Sequence, residues 1–509
     1  MKTKRSIYNL IAAIVSQGVV MILGFIIPRL TLMNYGSETN GYMTTVSQIY
    51  SYIGLLEAGL STAVVQSLYA PVANNDKTLI SGIINASRVY YRKIAVAYAG
   101  IVMVGSVILP FVIQGALQKM EMGLYFFLFG ISNIINFWFT ASMRPLVLAE
   151  GKNYINSNIT MVFHFGSQMA KILLLRLGVN IVILQLGYSI INILQIVVYY
   201  LYFYKCYKWL DSSLPPDMKA IKQRNAFFIQ QISNLIFSCT DTVLLSFFCN
   251  LRVTSIYTVY MLIFNAISML LSMITSSTQF ILGQVYNADR KQYVVVHRTY
   301  ESILMTVTFI LFTSAEILAI PFIKLYTSGI TDADYIDYVL PIMFSLNGLL
   351  STCKSTSMRL IEFSFHAKQT VKKTVLEAGI NLALSCLLIP RYGIRGALIG
   401  TGIALFYRLV DITIYTNHCI LYESIFPALK LYICNFIVFA FIVFVGEKYS
   451  FNIMSYWEFI LTGMNIMFIC CIIFVILNLG INYKLYQRIY MKLVLKYKKG
   501  KVIKRDEKM

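Results

Sequence analysis

The chain has 509 residues, of which 58% are apolar and only 13% charged, and it carries a net charge of +21. Its mean hydropathy is +0.68. A soluble domain has about a quarter of its residues charged, so this composition excludes a soluble protein. Long apolar runs, such as Ile181 to Tyr204, do not alternate polar and apolar residues, which also excludes a transmembrane β-barrel.

Fourteen apolar runs predict an all-α integral membrane protein, because each run is long enough to cross a membrane as a helix of about 20 residues. In chain order the runs cover residues 8–33, 41–70, 88–113, 122–147, 155–176, 180–204, 225–250, 255–287, 299–326, 338–361, 370–390, 396–417, 428–446 and 456–480. The first run follows basic residues, as in a signal peptide, but it is too long for the apolar core of such a peptide. We therefore expect it to remain as the first helix.

The Lys and Arg residues predict how these helices are oriented. Counted over alternate connections, 32 of the 43 basic residues lie on the side shared by both termini, seven lie on the opposite side and four lie within the runs. Positive residues accumulate on the cytoplasmic side of a membrane, so we expect both termini in the cytoplasm. Because topology accounts for most of the positive charge, nothing in the composition supports binding to nucleic acid.

An internal repeat with an offset of about 215 residues relates the two halves of the sequence. The coinciding pairs include Arg176 with Arg391, Gly178 with Gly393 and, at a shift of 213, Asp76 with Asp289. Six runs lie in each half, and because six is even both halves enter the membrane from the same side, as in parallel repeats. We expect two pseudo-symmetric six-helix lobes. The predicted divisions are 1–210 for the N-lobe, 211–224 for a cytoplasmic linker, 225–422 for the C-lobe, 423–482 for two appended helices and 483–509 for a basic tail.

Ionisable side chains inside the predicted helices are candidate functional residues, because such groups are costly in a bilayer unless they face a cavity or a partner. Four of them are cations that would suit an anionic substrate: Arg29, Lys171, Lys354 and Arg408. Arg408 has Asp411 three residues further on, so these two side chains are also expected to neutralise each other. The acidic candidates include Glu57 and Asp241.

Helical spacing gathers other candidates into two polar stripes. Gln231, Asn234 and Asp241 recur at i, i+3 and i+10 in the seventh run, and His164, Gln168 and Lys171 recur at i, i+4 and i+7 in the fifth. Such stripes are expected along a water-filled cavity. Hydrogen bonding between neighbouring helices accounts equally well for the Gln and Asn side chains, whereas cavity lining is the favoured interpretation for Lys171 and Asp241. For His164 a packed neutral imidazole is the simpler interpretation.

Several classes of function lack their sequence signals. The chain contains no Walker loop, no dinucleotide fingerprint and no Gly-x-Ser-x-Gly elbow, so no nucleotide cofactor is expected. The nine cysteines include no Cys-x-x-Cys and no cluster with metal-ligand spacing, so no metal site is expected. The predicted outward loops are about a dozen residues at most, too short for the catalytic loop expected of a membrane polysaccharide polymerase or ligase.

The opening segment resembles the polysaccharide transporter (Wzx-type flippase) family of the multidrug/oligosaccharidyl-lipid/polysaccharide exporter superfamily. The resemblance is carried by six short matches: Pro28-Arg29, Tyr35-Gly36, Asn40-Gly41, Glu57-Ala58-Gly59-Leu60, Leu68-Tyr69 and Asp76-Lys77. The number of helices agrees over the whole chain, and the strongest matches lie in about the first 80 residues. An alternative within the superfamily is a cation-coupled multidrug antiporter, which usually has twelve helices and an acidic pocket.

The resemblance implies a transporter of the bacterial plasma membrane that changes no covalent bond. It would move an undecaprenyl-pyrophosphate-linked oligosaccharide, such as an O-antigen, capsule or exopolysaccharide repeat unit, between leaflets by alternating access through a cationic cavity. In this role the four cations hold the head group. Glu57 matches the acidic position of the second helix, where it pairs with Arg29 or positions the helix, and Asp241 couples transport to an H⁺ or Na⁺ gradient. The expected partners are the lipid bilayer, a polysaccharide polymerase and a chain-length regulator, with the protein itself a monomer.

Overall fold

A computed structural model describes residues 2–57, 59–113, 117–218, 240–364, 366–446, 448, 453–483 and 485–487. Within these ranges the chain is helical and contains no β-strand. The helices, in order, are α1 Lys2–Ile53, α2 Leu60–Ala73, α3 Lys77–Val112, α4 Lys119–Phe139, α5 Arg144–Ala149, α6 Asn153–Arg176, α7 Ile181–Cys206, α8 240–248, α9 Leu251–Ala288, α10 Arg290–Tyr326, α11 Val339–Phe363, α12 Ala367–Thr416, α13 Phe426–Gly446 and α14 Tyr456–Ile481.

In the part of the chain that the structure describes, nine helical stretches are long and apolar enough to cross a membrane. Two of these stretches, 21–73 and 369–421, contain more than one predicted run. Helices α6 and α11, with 24 and 25 residues, also exceed the length needed to cross a hydrocarbon core of about 30 Å. The prediction of an all-α, multi-pass membrane protein is confirmed, and the described helices are compatible with the predicted number of about fourteen.

Glycine residues with positive φ interrupt the longest helices. Gly36, with φ 79° and ψ 178°, breaks α1, and Gly393, with φ 54° and ψ −129°, breaks α12. Between α6 and α7 the chain turns at Gly178, with φ 64°. Because residues with a Cβ rarely adopt these angles, each position favours glycine. Gly178 and Gly393 are paired by the predicted repeat, so the two halves share this turn.

Two predicted runs are not continuous helices, which corrects the sequence interpretation. The run 41–70 is broken where α1 ends at Ile53, a 3₁₀ turn covers Gly54–Glu57 and Gly59 adopts φ 76° before α2. The run 122–147 is broken between α4 and α5. Hydropathy alone gives no sign of either break, because the residues around both turns remain apolar on average. Discontinuous helices in transporters commonly lie beside binding sites.

The first compact unit comprises Met1–Thr258, Gly329–Asp334 and Ser385–Ala397. Its core contains many tyrosines whose hydroxyl groups donate to backbone carbonyls, as Tyr42 does to Met122 at 2.6 Å and Tyr50 to Phe126 at 2.6 Å. These bonds join α1 to α4. A buried hydroxyl must find an acceptor in a membrane protein, so the tyrosines fix the register between the two helices.

The second compact unit comprises Val259–Ser328, Tyr335–Leu384 and Leu398–Met509. Helix α10 lies at its centre, in contact with α11, α13 and α14. The ring of Phe309 on α10 lies 5.1 Å from that of Phe436 and 5.7 Å from that of Phe474. The appended helices α13 and α14 therefore pack directly onto the second unit, whereas the predicted lobe boundaries at 210 and 225 remain a prediction.

Candidate functional site

A polar pocket of about 280 Å³ lies inside the first unit, between helices α4, α5, α6 and α7. Most of its lining is polar and includes four amide side chains, so we call it the amide pocket. Its lining residues are Phe129, Ser132, Asn133, Asn136, Arg144, Thr160, Tyr188, Asn192, Gln195 and Ile196. Amide and hydroxyl groups both donate and accept hydrogen bonds, which suits a ligand rich in hydroxyl groups.

Arg144 is the cation of the amide pocket, and a local break in the helix puts it there. Helix α4 ends at Phe139, and Pro145 lies in the first turn of α5, where a missing N–H costs nothing. The chain therefore restarts its helix at Arg144, and the guanidinium lies over the ring of Tyr199, 4.4 Å from the ring centroid. Its buried Nε has no hydrogen-bond partner among the described residues.

The side chains around Arg144 leave its guanidinium able to donate to a bound anion. Glu57 acts on it at Coulombic range, but the Glu57 carboxylate accepts its hydrogen bond from the Tyr91 hydroxyl, at 2.7 Å. Tyr199, beneath the guanidinium, donates to the carbonyl of Asn156 at 2.9 Å and lies 3.1 Å from the Thr160 hydroxyl. A guanidinium has five N–H donors, so Arg144 keeps capacity for an anionic acceptor.

Lys171 lies next to the same pocket. Its Nζ is 4.0 Å from the ring centroid of Tyr188, which lines the pocket. Within the described residues, Lys171 is held by this cation–π contact. No described carboxylate lies within ion-pair distance of it. A half-buried ammonium held by a ring face alone is a costly arrangement in a membrane. A bound anion would relieve that cost.

The predicted stripe on α6 is present and leads toward the amide pocket. The side chains of His164 and Gln168 are joined by a 3.2 Å hydrogen bond, between Nε2 of each. Thr160, which lines the pocket, precedes His164 by four residues and so lies on the same face of the helix. The stripe thus runs from the pocket, through the His164–Gln168 pair, to Lys171.

Asp241 is buried in the first unit, where its contacts include Ser385 and Tyr257. Its Oδ1 accepts a hydrogen bond from the Ser385 hydroxyl at 3.1 Å, and the hydroxyl of Tyr257 also bonds to it. The other residues of its predicted stripe, Gln231 and Asn234, lie outside the described residues. Arg29 lies half-buried in α1, seven residues before the break at Gly36.

The two predicted cations of the second unit are held by carboxylates. Lys354 Nζ lies 2.6 Å from Glu377 Oε1, and the fully buried Arg408 donates to Asp411 at 2.7 Å, as their spacing predicted. Lys373 also pairs with Asp411. Three cations and two carboxylates leave this cluster with a formal charge of +1. Its charges are therefore largely compensated by ion pairs, whereas no described carboxylate forms an ion pair with Arg144 or Lys171.

Sequence reasoning missed Arg144 and the four amides of the pocket. The signal was available: Tyr188, Asn192 and Gln195 recur at i, i+4 and i+7 on α7, and Asn133 and Asn136 are three residues apart on α4. These are one-face spacings like those of α6. They passed unnoticed because none of these side chains is charged at neutral pH and both helices are strongly apolar.

Comparison with solved structures shows that the chain shares its fold with a lipid II flippase and with MATE transporters. A lipid II flippase, MurJ, in an inward closed conformation matches with a TM-score of 0.69 and 15% identity over 93% of this chain and 99% of its own. An inward-facing multidrug resistance MATE family transporter matches with a TM-score of 0.60 and 14% identity over 78% and 95%. The MATE multidrug transporter DinF-BH matches with a TM-score of 0.55 and 16% identity over 80% and 94%.

No family model and no curated protein sequence matches this chain. At identities of 14 to 16% the structural likenesses establish the fold. The fold is shared by a lipid II flippase and by multidrug transporters, so function must be argued from the charges and polar groups of the site.

Proposed function

We propose that this chain is a flippase that moves an undecaprenyl-pyrophosphate-linked oligosaccharide from the inner to the outer leaflet of a bacterial plasma membrane. The observation that carries the proposal is the pairing state of the cations in the first unit. Arg144 and Lys171 form no ion pair with a described carboxylate, and they adjoin a pocket lined by four amides. The pocket therefore combines positive charge with hydrogen-bonding groups for hydroxyls.

The chemistry of this cargo matches those groups. A pyrophosphate carries negative charge and accepts short, charge-assisted hydrogen bonds, for which a guanidinium is well suited. Sugars present hydroxyl groups, which amide side chains can both donate to and accept from. The lipid tail requires no polar site, because it can remain in the bilayer while the head group crosses. In this mechanism, alternating access exposes the polar pocket first to one leaflet and then to the other.

The main alternative is a cation-coupled multidrug antiporter with the same fold. A cationic drug would be repelled by Arg144 and Lys171 and would require an uncompensated acidic pocket. In the second unit, the carboxylates of Glu377 and Asp411 are already engaged by lysine and arginine. The charges beside the amide pocket thus favour an anionic head group.

Asp241 is our proposed coupling residue for an H⁺ or Na⁺ gradient. Its carboxylate is buried, and the hydroxyl groups of Ser385 and Tyr257 bond to it. An acid in such surroundings can gain stability from a proton or a small cation. We further propose that the protein works as a monomer that delivers its cargo to a polysaccharide polymerase and a chain-length regulator, with both termini in the cytoplasm.

The test is a flipping assay in proteoliposomes that contain a fluorescent, pyrophosphate-linked oligosaccharide. Arg144→Gln and Lys171→Gln should each lower the initial rate by about tenfold or more, because a charged hydrogen bond contributes about 1.5 to 3 kcal/mol. Arg176→Gln is the matched control, since Arg176 is exposed at the end of α6. If both site variants retain the wild-type rate at equal protein content, the proposal is wrong.

A further inference from the structure

A second pocket, of about 590 Å³, lies on a different face of the first unit, where α3, α4 and α7 approach the predicted cytoplasmic side. Cationic and aromatic side chains make up most of its lining, and we call it the basic groove. Its lining residues are Arg88, Arg92, Trp138, Phe139, Met143, Tyr200, Phe203, Tyr204, Tyr207, Lys208, Leu210 and Ser212. It shares no lining residue with the amide pocket.

The groove carries three cations and no carboxylate. The guanidinium of Arg92 lies 5.4 Å from the ring of Trp138, and Lys208 Nζ lies 5.7 Å from the ring of Tyr204. Arg88 donates to the Ser212 hydroxyl at 2.9 Å. Within the described residues none of the three cations is within ion-pair distance of an acid. Like charges converge here without compensation, which favours an anionic ligand.

One wall of the groove is built by the segment after α7, which folds back onto α3. The side-chain amide of Asn85 donates to the carbonyls of Asp211 at 2.9 Å and Leu214 at 3.0 Å. The backbone N–H of Asp217 donates to the carbonyl of Gly82 at 3.0 Å. These bonds hold Ser212 against Arg88. The groove is therefore a fixed feature of the fold.

The helices that form the groove continue into lipid-facing apolar surface. Beyond Arg92, helix α3 exposes Val96 and Met103, and α7 exposes Leu194 and Leu201 before it ends at Cys206, two residues short of Lys208. Aromatic residues at the groove, including Tyr200 and Tyr204, are the types that gather at the membrane–water interface. A ligand seated here would have its anionic group against the cations and an apolar part along α3 and α7.

We propose that the basic groove binds the phosphate of an anionic phospholipid from the cytoplasmic leaflet. The lipid phosphate accepts hydrogen bonds from Arg88 and Arg92, Lys208 adds a third charge, and the acyl chains lie along the exposed faces of α3 and α7. A free phosphate offers the same anionic chemistry without the apolar part. The continuity between the groove and the lipid-facing surface favours the lipid.

The experiment measures lipid binding by the purified full-length chain in nanodiscs of phosphatidylcholine that contain phosphatidylglycerol. Native mass spectrometry compares the two lipids retained by the wild type, by the triple variant Arg88→Gln, Arg92→Gln, Lys208→Gln and by the control Lys93→Gln, Lys205→Gln. Lys93 lies on α3 and Lys205 in the last turn of α7, close in sequence to the groove cations, but neither lines the groove. We expect each groove cation to contribute about a fivefold preference for phosphatidylglycerol.

The wild type and the control should therefore retain phosphatidylglycerol preferentially, and the triple variant should lose that preference while its melting temperature stays within the range of the control. An equal preference in the triple variant would overturn the proposal. A competition arm adds glycerol 3-phosphate: failure to displace the lipid supports lipid binding, and full displacement would show that a soluble phosphate is the ligand. Because this assay measures binding without transport, its outcome is separate from that of the proposed flippase activity.

Discussion

Helix α3 begins after Asp76 and helix α10 after Asp289, at equivalent positions of the internal repeat. The Asp76 side chain accepts from the Leu79 N–H at 3.0 Å, and that of Asp289 accepts from the Lys291 N–H at 2.9 Å. Both helices thus start with the same aspartate cap. However, 28% of the most apolar stretch of α3 is buried within the molecule, against 67% for α10.

The appended helices account for this difference. Helices α13 and α14 pack on α10, and the α13 residue Tyr432 donates to the buried Glu301 at 2.6 Å. At the shift of 213 the counterpart of Glu301 is Arg88, which belongs to the basic groove on the exposed side of α3. Helices at equivalent positions of the repeat therefore differ: α10 is packed in the core of its half, whereas α3 presents a lipid-facing surface in the other half. Polar contacts matter for the packing of α10, because apolar side chains gain little by leaving lipid tails for a helix interface.

The largest effect should come from removing Glu301. Its carboxylate accepts from Tyr432 and lies 3.6 Å from Arg298, so Glu301→Leu leaves a buried phenol and a mostly buried cation without this partner. We expect a loss of about 2 to 4 kcal/mol in the free energy of unfolding. Thermal unfolding in detergent measures it. Arg88→Gln, at the equivalent position of α3, is the control and should leave the melting temperature nearly unchanged; equal shifts would contradict the comparison.

A smaller effect is expected from the amide pair that joins the two appended helices. Asn435 and Asn478 are buried, and each side chain donates to the other at 2.9 Å. A double-mutant cycle with Asn435→Leu and Asn478→Leu should give a coupling energy of about 0.5 to 1.5 kcal/mol. Additive single effects would mean that the amide pair does not hold α13 to α14. Apolar packing alone would then keep the two helices on α10.

The smallest effect concerns the cap of α3, where the two halves are alike. The N–H of Leu79 and the hydroxyl of Thr78 bond to the Asp76 carboxylate and lower its pKa below the ordinary value. A lowered pKa in the folded state stabilises the protein at neutral pH, and this contribution is lost as pH falls through the acidic range toward the folded pKa. Asp76→Ala should therefore lower the melting temperature slightly at pH 7, and the difference from wild type should shrink near pH 4 and below. A difference that grows on acidification would contradict the cap.

Local chemistry explains which parts of the fold were predictable from sequence. The paired glycines Gly178 and Gly393 and the paired caps are visible because positive φ and helix capping each favour a few residue types. Hydropathy averages over a window, so it missed the breaks after Ile53 and after Phe139. The second break is the one that turns Arg144 toward the amide pocket.

The site was less predictable, because pairing depends on tertiary structure. Lys354 and Glu377 are 23 residues apart in sequence, and nothing local indicates that their side chains meet. Conversely, the sequence offered no reason to expect Lys171 to lie over the Tyr188 ring. Which cations remain uncompensated, and so which ones suit an anionic cargo, emerges only when the helices are packed.

The most direct test of the flippase proposal is equilibrium binding by the purified protein, with a pyrophosphate-linked oligosaccharide and a cationic dye as the two ligands. We predict that the anionic glycolipid binds and that the double variant Arg144→Gln, Lys171→Gln weakens its binding by at least about tenfold, which corresponds to about 1.4 kcal/mol. Binding of the dye should not weaken in that variant. Tight binding of the dye by the wild type, with glycolipid binding unaffected by the double variant, would contradict the proposal and favour the multidrug antiporter.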